Sequence, residues 1–154
     1  MNDPKELAAQ TEAALFARHM RVGWFSLPVL VSLGLLLELL HAYKVAFYLD
    51  VGNEARRLMW TLAHAHGVGL SLLNLLFALS VRALLPAPSR MLALASTLLT
   101  WATLLLPLGF FLGGIVTYGG DPGLGVLLVP VGALLLWLAV TLMAREVWTA
   151  LRRQ

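Results

Sequence analysis

Glu38, His41, His64 and His66 are the ionisable side chains that fall well inside the apolar stretches of this chain. Ionisable groups in hydrocarbon are costly, and those that persist mark proton, ion or cofactor sites. An imidazole is a ligand for iron, copper and zinc, and a carboxylate three residues before a histidine is the pair that di-metal four-helix bundles project inward. Glu38 and His41 have that i, i+3 spacing and so share one helix face. A complete di-metal centre needs a second such pair and two more carboxylates, which the chain does not supply. Two histidines on facing helices can instead hold a haem between them, with His41 opposite His64 or His66 as axial ligands. His64 and His66, two residues apart, point to nearly opposite sides of a helix, so only one of them faces Glu38 squarely. The other faces a different helix or another subunit. The site expected from these residues takes haem or a transition metal ion, with His41 and His64 as primary ligands and His66 as second candidate. Glu38 is then a ligand or the acceptor that orients an imidazole.

The elements that must position these groups follow from composition. The 154 residues are 60% hydrophobic and 12% charged, about half the charge of a soluble domain. Apolar runs over 22–43, 58–81, 91–118 and 124–144 match the roughly 20 residues that span a bilayer. Nothing alternates like a barrel strand, so the fold class is an all-α integral membrane protein, a single domain with membrane spans over 22–49, 57–82, 90–118 and 123–147. Short connections, Pro86-Ala87-Pro88 and Gly119 to Gly123 among them, make sequential helices antiparallel neighbours and predict an up-down-up-down four-helix bundle. The first connection is open to two readings, since 43–49 is amphipathic and extends helix one until Asp50 to Asn53 breaks it. Asp3 followed by Pro4 is a helix start. Residues 1–21 therefore form an interfacial helix or extend the first span, and no small-x-small cleavage site follows to suggest a signal peptide.

Basic residues set the orientation. Lys5, Arg18, Arg21, Arg82, Arg90, Arg145, Arg152 and Arg153 share one side, whereas Lys44, Arg56 and Arg57 fall on the other. The excess predicts that both termini are cytoplasmic, in a bacterial-type inner membrane. Trp24 and Trp148 then belong to the inner aromatic belt, and Tyr43, Tyr48, Trp60 and Tyr118 to the outer one. Trp101 and Trp137 lie mid-helix and are expected to pack between helices. With helix one centred near Leu36 and helix two near Gly69, Glu38 and His41 lie roughly 3 and 8 Å outward of the middle, and His66 and His64 roughly 5 and 8 Å outward. The acid and the imidazoles are thus expected to meet in the outer half of the bilayer.

The segment Ala63-His64-Ala65-His66-Gly67, opening an apolar helix, resembles the haem-ligating helix of the respiratory oxidase large subunit over only about fifteen of the 154 residues. That family's other histidine-bearing helices have no counterpart here. The resemblance implies haem ligation.

The remaining signals read as structure. Gly109 to Gly113 is a small-xxx-small motif for close helix approach, within the bundle or between protomers. Gly67, Gly69, Gly113 and Gly114 lie near the depth of the histidines, where they leave room for a flat cofactor or tighten helix contacts. Pro28, Pro107 and Pro130 are expected to bend their helices. Ser96, Thr97, Thr100 and Thr103 are interhelical donors, Asn74 is packing glue or an inward relay, and Asp121-Pro122 forms a turn. His19, beside Arg18 and Arg21, is expected to be solvated. Zero cysteines exclude disulfides and thiolate ligands. No phosphate loop, nucleophile elbow, His-Glu-x-x-His helix or basic stacking groove is present, so no nucleic acid partner is expected. The expected partners are the lipid bilayer and a homo-oligomer or larger membrane complex. The roles consistent with the chain are electron transfer, sensing or respiratory assembly. The competing readings are a non-enzymatic subunit or scaffold, in which the cluster only bonds helices together, and a proton-coupled transport component.

Overall fold

The structure, a computed structural model, describes residues 3–50, 52, 54–85 and 89–153, with Pro4 described in its backbone alone. Among them are four α-helices, α1 (Pro4–Ala42), α2 (Ala55–Leu84), α3 (Arg90–Ile115) and α4 (Leu128–Leu151), the last entered through a 3-10 turn at Leu124–Leu127. Four helical segments are long and apolar enough to cross a membrane, as an integral membrane protein requires, because helices satisfy their own backbone groups in lipid. The proline-rich turn expected at 86–88 lies outside the described residues, as do Val51 and Asn53 of the first connection.

The chain begins without a break between the N-terminal segment and the first span. Asp3 caps α1 by accepting the Lys5 N–H, and Pro4 occupies the first helical position, where no N–H is needed. One helix of 39 residues results, about 58 Å long against about 30 Å of hydrocarbon. Its outer end is set by Lys44, which adopts φ 50°. The Lys44 N–H donates to the His41 carbonyl and the Val45 N–H to the Leu40 carbonyl, the paired bonds of a left-handed helix stop, here made by a lysine in place of the usual glycine. The extension of helix one through 49 is therefore corrected: α1 ends at Ala42, and Tyr48 folds back into the protein, 4% exposed and stacked on Trp60.

Neighbouring helices run in opposite directions. Ser26 meets Ser71 while His19, earlier in α1, meets Asn74, later in α2. Asn74 and Trp60 of α2 meet Thr103 and Phe111 of α3, and Gly109 and Gly132 mark the crossing of α3 and α4. α2 packs on α1 and α3, and α3 packs on α4, while α1 and α4 make no contact among the described residues. The helices form a curved row with α2 and α3 in the middle, open between its two edge helices. A core of Met59, Ala63, Leu70, Phe77, Leu92, Leu99 and Leu106 runs along the middle pair.

Several local expectations resolve here. The Gly109 to Gly113 motif is used inside the chain, against Leu128, Val129 and Val126. Gly119 and Gly120 both take positive φ, and Tyr118 and Asp121 exchange backbone bonds across them, which makes the α3–α4 connection a tight two-residue hairpin. Pro28 and Pro107 lie inside helices, but Pro130 sits in the first turn of α4, where its missing N–H breaks no intrahelical bond. Trp101 and Trp137 are exposed on the outside of the row and not packed between helices. They lie on the apolar surface that a bilayer covers.

Candidate functional site

The four expected ligands fall into three places. Glu38 and His41 lie in the last turns of α1, exposed, and line one cleft of about 610 Å³ with Tyr48, Arg57 and Thr61. His64 lies deeper, half-buried against α1, where its Nδ1–H donates 2.7 Å to the Leu30 carbonyl. His66 projects from another side of α2, exposed, its Nδ1–H donating 2.9 Å to the Leu62 carbonyl of its own helix and its ring 4.8 Å from that of Phe110 on α3. It lines a groove of about 410 Å³ that ends at Leu136 of α4. Glu38 and His41 are thus brought together, and His64 and His66 are each held apart from them. Among the described residues, no three histidine or carboxylate side chains form a group able to hold a metal ion.

Gly34 explains where His64 goes. A Cβ at Gly34 would fall on the imidazole, so the absent side chain opens the flank of α1 and lets the ring reach the carbonyl one turn earlier, at Leu30. The same pairing shows why the depth count does not bring the groups together. His64 lies beside Gly34, a full turn inward of Glu38, because the seating of its ring on Gly34 and the Leu30 carbonyl sets the register of α2 against α1.

The best-formed polar constellation lies elsewhere, around a residue that sequence alone assigns to solvent. His19 is fully buried between three helices, with Nδ1 2.6 Å from Asn74 Oδ1, Nε2 2.7 Å from Ser96 Oγ, and its ring 4.2 Å from that of Phe77. The hydrogen positions follow from the network. Both Asn74 amide hydrogens are used, on the Leu70 carbonyl and on Thr103 Oγ1, so Asn74 Oδ1 must accept from His19 Nδ1–H. His19 Nε2 then accepts from the Ser96 hydroxyl, which itself takes a long 3.4 Å bond from Arg18. Thr103 passes its own hydrogen to the Leu99 carbonyl. No buried side-chain nitrogen or oxygen among the described residues lacks a partner. The expectation of a solvated His19 is therefore corrected. α1 is already helical and packed at this point, and the ring fills a polar slot that water would otherwise occupy. Of the hydroxyls expected to bridge helices, Ser96 and Thr103 do so, whereas Thr97 and Thr100 bond back to their own helix.

At the other end, Arg56 donates to the Phe47, Gly114 and Ile115 carbonyls. A guanidinium there satisfies the last carbonyls of α3 and meets the negative end of its dipole. No protein-family model, curated protein or solved structure matches this chain.

Proposed function

We propose that this protein is a non-enzymatic subunit or scaffold of the cytoplasmic membrane, an up-down-up-down bundle with both termini in the cytoplasm. In it, the polar side chains within the spans lock α1 onto α2 and α3. The observation that carries this reading is the closed His19–Asn74–Ser96–Thr103 network, in which the buried donors and acceptors are used by another helix or by the backbone and so tie three helices together. His64 contributes a second tie between α1 and α2. The open flanks of α1 and α4 leave room for lipid or for a neighbouring membrane helix. The orientation rests on the charge bias, eight basic residues against three.

A second reading, a haem or transition metal site used for electron transfer, sensing or respiratory assembly, is favoured by one feature. His64 and His66 each commit Nδ1–H to a carbonyl, which leaves Nε2 as the lone-pair nitrogen, the orientation that metal-binding histidines take. An optical spectrum and elemental analysis of detergent-purified protein separate the two. The scaffold reading expects colourless, metal-free protein whose thermal stability drops in His19→Ala and His64→Ala. A Soret band or stoichiometric metal that disappears in His64→Ala, His66→Ala or His41→Ala overturns it in favour of the second.

A further inference from the structure

We propose that the cleft between the outer ends of α1 and α2 binds the headgroup of an aminophospholipid, a primary ammonium joined to a phosphodiester. Three polar groups lining this cleft have no bonding partner among the described residues: the Glu38 carboxylate, the His41 imidazole and the Thr61 hydroxyl. Thr61 is unlike Thr11, Thr97, Thr100, Thr103, Thr141 and Thr149, whose hydroxyls all bond the carbonyl four residues earlier. A carboxylate and a hydroxyl facing one space are acceptors for an ammonium. On the same wall, Arg57 spends one guanidinium nitrogen on Glu54, 3.1 Å away, and the remaining N–H donors of its five suit a phosphate. A free carboxylate and a guanidinium that keeps donors beyond its pairing with Glu54 are therefore supplied from facing helices, Glu38 from α1 and Arg57 from α2, as a zwitterion requires.

Depth agrees with a lipid as the source. Glu38 lies about 6 Å below the end of α1 and Thr61 about 9 Å below the start of α2, the level at which headgroups meet hydrocarbon. The cleft also has apolar lining, from Leu37 beside Glu38 and from Leu58 one turn nearer the start of α2 than Thr61, and Leu58 is 55% exposed. This inference does not depend on the scaffold reading and fails separately from it.

The test is native mass spectrometry of the full chain in detergent, titrated with phosphatidylethanolamine, phosphatidylcholine and phosphatidylglycerol. Phosphatidylethanolamine is expected to bind about tenfold more tightly than the other two, since charge-assisted bonds from its N–H groups are lost in both. Glu38→Gln and Thr61→Val, exposed positions whose side chains make no bond among the described residues, are expected to abolish the preference, and His66→Ala to keep it. Equal binding of the three lipids, or a preference that survives Glu38→Gln, overturns the proposal. So does equal competition by soluble phosphoethanolamine, which would make the ligand a free zwitterion.

Discussion

Single glycines and amides carry more of this structure than the ionisable residues that first draw attention. Gly34→Ala places a methyl on the His64 ring, so either the ring abandons the Leu30 carbonyl or α1 moves off α2. A loss of about 1–3 kcal/mol is expected, read as a lower midpoint of thermal unfolding in detergent. His64→Ala in the same background should restore part of it, because the ring that collides is gone. Asn74→Ala removes the amide that fixes the His19 tautomer and orphans His19 Nδ1–H within the core. The expected loss is again about 1–3 kcal/mol, whereas Thr97→Ala, which breaks only a bond to its own helix, should be nearly neutral. The network was partly legible: Asn74 and Ser96 stand out as polar groups in apolar runs. His19 was not, because the adjacent Arg18 and nearby Arg21 suggest water. The usable signal was helical phase, since Leu15, His19, Gly23 and Ser26 lie four, four and three residues apart on one stripe, and that stripe meets α2.

Helices as elements were visible from apolar length alone, and their ends were not. Where the sequence carries an unambiguous signal, as at Asp3-Pro4 or at the two glycines of the α3–α4 hairpin, the element begins or turns there. Where the signal is absent, the boundary moves. α1 stops at Ala42 because Lys44 takes a left-handed conformation, and lysine gives no hint of it. The end of α1 thus shifts by seven residues, from 49 to 42, while the register of Glu38 and His41 against His64 is set by the seating of His64 on Gly34. The conformation also makes a prediction. Lys44→Gly removes the Cβ penalty at φ 50° and should raise the unfolding midpoint by the equivalent of about 1 kcal/mol, while β-branched Lys44→Val should lower it. No change in either variant would mean that the stop is set by the Tyr48 and Trp60 packing beyond it and not by the backbone of residue 44.

For the whole molecule, short connections fix only which sequential helices are neighbours, and nothing in them draws α4 round to α1. The antiparallel row was therefore readable from the sequence, and its open side was not. A closed ring would bury the flanks of α1 and α4, but those flanks carry Val29, Leu35, Leu36, Val131, Leu134 and Trp137, all exposed here and all comfortable in hydrocarbon, where lipid is as apolar as another helix. Polarity, by contrast, differs between the two ends. The termini and the α2–α3 connection carry eight basic residues and the opposite end three, so the proposed orientation puts Arg152 in the cytoplasm and Asp121 outside. The chain contains no cysteine, which allows a direct measurement. In intact cells a membrane-impermeant maleimide should label Asp121→Cys, at the exposed hairpin, and should label Arg152→Cys only after lysis. The reverse pattern would invert the molecule. Labelling of both in intact cells would place the two ends of α4 on one side, and α4 would then not be a span despite its length and apolarity.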